Sequence, residues 1–184
     1  FELTFNHLRA EGFHSFTLFQ NNIDDLIGFT AGNIVRLNNV ARNESTGLEY
    51  ESRINLTSGV VLLTNFTHLF SNKTSYTENS EITPSEALVP DNYGSISANV
   101  YLNSKWSVNS QIDWRDEIKT LTESGPLTRL NLLINYKFSQ NSEFRLKALN
   151  VFDKNHATPI AVPLGSMGST PIQEIPARGR QIQL

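Results

Sequence analysis

Apolar and polar residues alternate along most of this chain, in blocks of about ten that are separated by Asn, Ser, Gly and Pro. Such period-two alternation predicts β-strands with two chemically different faces, and helical periodicity is nearly absent. Block 106–115 shows the pattern in full. Its apolar face carries Trp106, Val108, Ser110, Ile112 and Trp114, and its polar face Ser107, Asn109, Gln111, Asp113 and Arg115.

The pattern predicts nine strands, over 1–8, 13–27, 34–56 (interrupted), 60–70, 95–103, 106–115, 127–138, 143–151 and 178–184. The connections alternate in length. Those near 9–12, 57–59, 103–105 and 139–142 are short, and those near 28–33, 71–94, 116–126 and 152–177 are longer. Short turns at one end and long loops at the other are typical of a transmembrane β-barrel.

Charge separates the two faces of the clearest strands. All their Asp, Glu, Lys and Arg residues share the polar face: Glu49, Glu51, Arg53, Asp113, Arg115, Lys137, Arg145 and Lys147. A face without charge suits lipid, where a mid-depth Lys or Arg costs about 2–4 kcal/mol. The strands also approach the ~9–11 residues that a tilted strand needs to cross a bilayer. A soluble β-sandwich with apolar residues inward would alternate similarly and stays open as an alternative.

Composition limits the chemistry. The 184 residues include no Cys, which excludes disulfides, thiolate metal sites and a Cys nucleophile. A net charge of −3 gives no basic footprint for nucleic acid. The four histidines lack the in-strand or helical spacing of metal ligands, and adjacent Asp24 and Asp25 would point to opposite faces of a strand. We therefore expect no enzyme activity, no catalytic residues, no cofactor and no metal.

Four short motifs carry a family resemblance. They are Phe19-Gln20-Asn21-Asn22-Ile23-Asp24-Asp25-Leu26-Ile27, the strand start Asn43-Glu44-Ser45-Thr46-Gly47-Leu48-Glu49, Asn150-Val151-Phe152-Asp153-Lys154 and Gly179-Arg180. In this order and spacing they resemble the C-terminal barrel region of TonB-dependent outer-membrane receptors. The match departs at His156, where the family usually has Tyr, and at Leu184, where it usually ends on an aromatic residue.

The resemblance implies an all-β fold, an antiparallel transmembrane β-barrel of which residues 1–184 form about nine C-terminal strands out of 22. It also implies a bacterial outer-membrane location and contact with the lipid bilayer. The N-terminal plug domain and the segment that contacts TonB would lie outside this chain. The expected function is uptake of an iron–siderophore, cobalamin or haem-like ligand with TonB-coupled energy. A plugless porin-like channel and the β-sandwich binding module are the alternatives.

In this family the outer loops and the barrel interior contact the substrate. The two longest predicted loops therefore supply the candidate substrate-binding residues Tyr76, Asp91, Asn92, Tyr93, Asn155 and His156. Asp113 and Arg115 share the polar face two residues apart, so we expect them to form an ion-pair ladder with Arg145 or Lys147 of nearby strands.

Overall fold

The computed structural model describes residues 1–30, 36–76, 89–118, 125–154, 157–161, 172–176 and 179–183. The strands are β1 (Glu2–Arg9), β2 (Gly12–Thr30), β3 (Arg36–Thr57), β4 (Val60–Tyr76), β5 (Asn92–Tyr101), β6 (Trp106–Arg115), β7 (Leu127–Ser139), β8 (Ser142–Leu149), β9 (Ala157–Ala161), β10 (Ile172–Pro176) and β11 (Gln181–Gln183). Within these ranges no helix has the length and hydropathy that crossing a membrane would require.

Nine of the strands form one open antiparallel sheet in the order β1-β2-β3-β4-β5-β6-β7-β8-β11. The all-β prediction and the nine predicted strands are confirmed. The short connections between β1 and β2, β3 and β4, β5 and β6, and β7 and β8 lie at one end of the sheet, which we call the short-turn end. The opposite end is the long-loop end.

The pairing register keeps the two faces distinct across strands. Ile96 lies opposite Ile112, which lies opposite Leu130, whereas Ser95, Asp113 and Arg129 form the next row on the other side. Because side chains alternate along each strand, matched registers carry each row onto one face. We call these the apolar face and the polar face.

The apolar face has no second layer packed on it. Large exposed side chains occur there on strands from β1 to β11: Leu3, Phe5, Phe16, Leu18, Ile96, Trp106, Ile112, Phe138, Phe144 and Ile182. In the described part of the chain only Ile118 and Leu127 are buried hydrophobic residues. A β-sandwich would enclose this face between two sheets, yet Trp106 is 40% exposed. The single layer therefore contradicts the sandwich alternative and fits a sheet whose apolar side meets lipid.

Strands β2, β3 and β4 are longer than the alternation predicted, with 19, 22 and 17 residues. The predicted interruption of β3 is wrong over the described residues 36–57, and β4 extends to Tyr76, inside the predicted loop. At ~3.3 Å per residue these strands greatly exceed the length needed to cross a bilayer. Beyond the bilayer both faces of a strand meet water, so apolar and polar residues no longer need to alternate. The strand and its backbone pairing continue there, but the sequence pattern no longer predicts them.

The acidic pair in β2 interrupts regular pairing. Asp25 has a positive φ of 59°, and the β2–β3 register shifts between Ile23 and Leu26. Asp tolerates this left-handed backbone better than most residues. Asp24 pairs with Arg42 of β3 at 3.1 Å, and both side chains are largely exposed. The pair lies in the part of the sheet that extends past the apolar band.

The predicted loop 152–177 contains a small hairpin, which is a second correction. β9 and β10 pair antiparallel as a separate two-stranded sheet, with Pro159 opposite Glu174 and Pro176 opposite Ala157. The sequence concealed these strands because each has only five residues and includes a proline. Both strands are edges of their small sheet, where a residue without an N–H is tolerated.

Two of the family-like motifs meet across β2 and β3. Phe19 lies directly opposite Gly47 in the register. A Cβ placed on Gly47 would lie 2.5 Å from the Phe19 ring and 2.6 Å from the His68 carbonyl oxygen. The aromatic ring therefore occupies the space that any side chain at position 47 would need, which explains why this strand start carries glycine.

The other two motifs meet where the chain returns to the sheet after β8. Asn150 and Asp153 both have positive φ, 49° and 53°. The Asn150 amide donates to the Lys154 carbonyl at 3.1 Å and accepts from the Lys154 N–H at 3.1 Å, which closes the turn. The Asp153 carboxylate accepts from the Arg180 N–H at 2.9 Å. This bond fixes the start of β11 beside β8.

Removing the Asp153 carboxylate should loosen β11. We expect Asp153→Leu to lose about 0.5–1.5 kcal/mol locally, because the Arg180 N–H loses its acceptor. Amide hydrogen exchange at Gln181–Gln183 in the intact protein should then accelerate by about three- to tenfold. Asp153→Asn retains an oxygen at the same position and should exchange nearly as the wild type does. Equal exchange in the Leu and Asn variants would contradict this role.

A charge on the apolar face should be costly and one on the polar face should not. Ala98 and Ser97 are adjacent near the middle of β5 and belong to opposite faces. We expect Ala98→Lys to destabilise the protein by about 2–4 kcal/mol in phospholipid vesicles, measured by denaturant unfolding. Ser97→Lys, the matched control, should cost less than about 1 kcal/mol. The reverse order would overturn the assignment of faces.

Candidate functional site

A cavity of about 440 Å³ opens at the long-loop end of the sheet, where β4, β5, β6 and β7 lie side by side. Most of its lining residues belong to the rows of the polar face, and the segment before β5 closes one side. The lining includes Asn65, Val89, Pro90, Tyr93, Gly94, Ser95, Asp113, Trp114, Arg115, Leu127 and Arg129. Strand ends position these groups, so a rigid sheet rather than a loop carries most of the site.

Asp113 is the polar centre of this cavity. Its carboxylate accepts hydrogen bonds from the Gln111 amide at 2.6 Å and the Asn131 amide at 3.1 Å. It also lies 3.8 Å from an Nη atom of Arg129, the residue directly opposite on β7. The predicted pairing of Asp113 with Arg145 or Lys147 is therefore wrong. Arg145 instead pairs with Glu143 of its own strand, near the short-turn end.

Two guanidinium groups lie beside that carboxylate. Arg115 and Arg129 occupy diagonal positions on β6 and β7, and their positive charges repel each other. Arg115 donates to the carbonyl oxygens of Asp116 at 2.9 Å and Gly125 at 3.1 Å, which ties the end of β6 to the start of the β7 segment. Among the described residues that line the cavity, two carry a guanidinium group and one carries a carboxylate.

Arg129 has unused hydrogen-bonding capacity. Its Nε atom is buried and has no hydrogen-bond partner among the described residues. A buried donor without a partner costs about 1–3 kcal/mol, more when the group is charged. The side chain as a whole is 39% exposed, so the guanidinium remains accessible from the cavity. An anion held in the cavity would meet the exposed part of this guanidinium group, which offers charge-assisted hydrogen bonds.

The predicted substrate-binding residues take different positions. Tyr93 lines the cavity and lies opposite Arg115. Asp91 precedes β5, is exposed, and accepts a backbone hydrogen bond from the Leu69 N–H at 2.8 Å. Tyr76 is the last residue of β4 and lies opposite Ala41, far along the strand from the cavity. Asn155 and His156 lie outside the described residues. Contact of any of these residues with a ligand stays a prediction.

Asn92 takes part in a chain of hydrogen bonds at the same end of the sheet. His68 Nδ1 and the Asn92 side-chain oxygen lie 2.7 Å apart, and the Asn92 amide donates to the Asp116 carboxylate at 2.5 Å. The Asp116 N–H also donates to the Asn92 carbonyl at 2.9 Å. The arrangement joins the ends of β4, β5 and β6 and gives Asn92 a structural role beside the cavity.

Sequence reasoning missed Arg129 as a site residue. Its block was recognised as a strand, but the long connection between β6 and β7 concealed which residue faces Asp113. Arg129 precedes the first clear apolar position of that block by one residue, so its phase already placed it on the polar face. Among the described residues, no three His, Cys, Asp or Glu side chains are grouped so that they could hold a metal ion.

Comparison with solved structures shows the same fold in outer-membrane receptors. The ferric yersiniabactin uptake receptor FyuA from Yersinia pestis superposes with a TM-score of 0.75 at 16% identity, covering 98% of this chain and 28% of that protein. The copper transporter OprC gives a TM-score of 0.72 at 15% identity, covering 98% of this chain and 30% of that one. The ferripyoverdine receptor of Pseudomonas aeruginosa gives 0.66 at 14%, covering 98% and 25%.

The chain thus spans less than a third of the receptors it matches. A search of curated proteins by sequence finds no match. A sequence model of one family, described as "TonB dependent receptor-like, beta-barrel", matches residues 1–152, which is most of the chain. The match favours a receptor over the plugless porin-like alternative. The chain belongs to the TonB-dependent receptor β-barrel family and is part of a bacterial outer-membrane protein.

Proposed function

We propose that the complete protein is an outer-membrane receptor that takes up a scarce nutrient with TonB-coupled energy. The ligand is an iron–siderophore, cobalamin or a haem-like compound, and this chain supplies barrel wall and part of the ligand-binding surface rather than catalysis. Membership of the receptor family and the named functions of the superposed receptors support the proposal. The plug domain, moved by TonB, would open the passage through the barrel.

The cationic cavity carries the proposal for the ligand class. The described lining of the cavity holds Arg115, Arg129 and a single carboxylate, that of Asp113, and the buried Nε of Arg129 has no acceptor within the described structure. Charge-assisted bonds from guanidinium groups to carboxylate or phosphate are short, directional and strong. Among these ligand classes the cavity therefore favours an anionic complex, such as a ferric chelate with free carboxylate groups, over a neutral one such as cobalamin.

Tyr93 complements the cationic pair. Its ring lies on the polar face opposite Arg115, where it offers flat apolar surface and a hydroxyl at the mouth of the cavity. Binding sites commonly combine such aromatic surface with a few directional polar groups. Asp91, together with Asn155 and His156, is proposed to contact the same ligand beside the cavity. Tyr76, at the far end of β4, is proposed to contact it at an earlier stage of its approach. Asn92 is proposed to act in the same site through the strand ends that it joins.

Replacing Arg129 should weaken binding of anionic chelates selectively. We expect Arg129→Gln in the full-length receptor to raise the Kd of ferric citrate or a ferric catecholate by about 10- to 100-fold, since a hydrogen bond to a charged group contributes about 1.5–3 kcal/mol. Binding is measured by quenching of tryptophan fluorescence in detergent. The Kd of a neutral ferric hydroxamate and of cyanocobalamin should change less than twofold.

Arg145→Gln is the matched control. Arg145 lies on the same polar face but near the short-turn end, and its substitution removes the same charge. It should bind every chelate as the wild type does. Equal losses in Arg129→Gln and Arg145→Gln would mean that overall charge, not the cavity, attracts the anion. No change in Arg129→Gln would remove the cavity from the binding site.

Transport is tested separately from the cavity. Cells that express the full-length receptor should accumulate the radiolabelled chelate that binds best, and cells lacking TonB should not. Energy coupling is required because the nutrient is scarce and must be released from a tight site. Uptake that is unchanged without TonB would contradict the receptor proposal and favour passive diffusion, whatever the effect of Arg129→Gln on binding.

A further inference from the structure

A polar cluster interrupts the apolar face at the short-turn end of β1, β2 and β3. It consists of His7, Arg9, His14 and Tyr50, which lie on the same face as Phe5 and Phe16. His7 and His14 are directly opposite each other, with ring centroids 6.4 Å apart. The hairpin register brings these histidines together, although their sequence spacing suggested no relation.

Each member of the cluster has a defined partner. The Arg9 Nε–H donates to His7 Nε2 at 2.8 Å. His7 Nε2 is the acceptor of this bond and so holds the guanidinium by its Nε edge. His14 Nδ1 lies 2.9 Å from the Tyr50 hydroxyl, and the two rings stack with centroids 6.1 Å apart. Tyr50 in turn packs on Phe16 at 4.8 Å.

Arg9 is an exception to the charge pattern of the sheet. Among the described strand residues of the apolar face, it is the one charged side chain outside the extension of β2–β4 beyond the long-loop end. It forms no ion pair within the described structure, and that includes the carboxylate of Glu11 in the adjacent turn. The guanidinium group of Arg9 is thus a positive charge that no carboxylate of the described structure neutralises, and its Nη atoms remain available to a ligand.

The other short-turn positions of the apolar face within the described strands lack such a cation. On β6 and β7, the Trp106 and Tyr136 rings are tilted by 32° with centroids 4.4 Å apart, and Tyr136 contacts Phe138 edge-on at 4.7 Å. These rings form the ordinary aromatic border of a barrel at the membrane surface. The histidine–arginine cluster is therefore a local feature of β1–β3 rather than a property of the whole border.

The height of the cluster places it among lipid headgroups. Short turns of outer-membrane barrels face the periplasm. Arg9 is the last residue of β1, and His7 lies two residues before it. For a strand tilted ~45°, His7 therefore lies about 5 Å deeper in the membrane than Arg9. Each headgroup layer is about 5–8 Å deep. Phe5 and Phe16 follow where the hydrocarbon begins, so a lipid bound here would place its phosphate at Arg9 and its acyl chains against the rings.

We propose that His7, Arg9, His14 and Tyr50 form a binding site for the phosphate group of a phospholipid in the periplasmic leaflet. The two Nη groups of Arg9 bind the phosphate as a fork, while His7 fixes the orientation of that fork. The hydrogen-bonded pair of His14 and Tyr50 leaves one further donor beside it, on the imidazole ring or on the hydroxyl. The site lies on the face opposite the cavity and does not depend on the transported ligand.

The test uses the full-length receptor in detergent, with bound lipids counted by native mass spectrometry during titration with phosphatidylglycerol. One lipid should bind saturably to the wild type. Arg9→Gln should weaken that binding at least tenfold. His14→Phe should weaken it about threefold, because it removes one hydrogen-bond donor and leaves the positive charge of Arg9 in place. Arg53→Gln is the matched control. It deletes a cation at the same end of the neighbouring strands, on the opposite face, and should change binding less than twofold.

Two further probes distinguish the source of the phosphate. Diacylglycerol with the same acyl chains should not compete, and millimolar inorganic phosphate should displace phosphatidylglycerol only weakly. Equal binding of diacylglycerol would reduce the cluster to an apolar contact, and binding of phosphate as strong as that of the lipid would make it a free-anion site. Either result, or equal effects of Arg9→Gln and Arg53→Gln, overturns the proposal. If Arg9→Gln does not fold, Arg9→Lys should bind with intermediate affinity.

Discussion

Backbone hydrogen bonding in a medium without water is the constraint on which this structure depends. Each strand in hydrocarbon must satisfy its N–H and C=O groups through its neighbours, because nothing else is available there. Eight antiparallel pairings of the nine-stranded sheet do this and leave side chains to respond to their surroundings. One side then becomes apolar and the other polar, and the charged residues that could bind a nutrient collect on the polar side.

This constraint explains how much of the fold the sequence could predict. Within the bilayer, alternation is required, so β5 and β6 were located to within a few residues. The same reasoning failed for the outer parts of β2, β3 and β4, where water reaches both faces and no pattern is required. It failed again for β9 and β10, since five-residue strands with a proline resemble loops. The fold class could be predicted because placing a charged side chain against lipid costs free energy, which forces the alternation. The strand ends could not be predicted, because no comparable cost applies to side chains in water.

The candidate site depended on information of another kind. Asp113 and Arg115 were readable as neighbours on one face, because their relation is local. Their relation to Arg129 crosses a long connection, and no property of residues 116–126 specifies which residue of β7 lies opposite Asp113. His7 and His14 were missed for a similar reason, although their hairpin turn has only two residues. The two histidines are related by the register between strands and not by their spacing within one strand.

The family-like motifs, by contrast, contact each other in space: Phe19 lies opposite Gly47, and Asp153 binds Arg180. Their recurrence in order thus reflects contacts rather than separate local signals.

The unequal height of the strands has a consequence for how a molecule approaches from outside the cell. From Thr67, opposite Tyr93 at the cavity, β4 continues to Tyr76, about 30 Å of further strand at ~3.3 Å per residue. By contrast, β6 ends at Arg115 and β5 begins at Asn92. Within the described residues, paired backbone therefore reaches further along β2–β4 than along β5–β7. This difference puts the extended ends of β2–β4 and the two guanidinium groups beside the cavity at different heights on the same wall. A molecule that contacts the extended strands first would still be separated from the guanidinium groups by most of that added length.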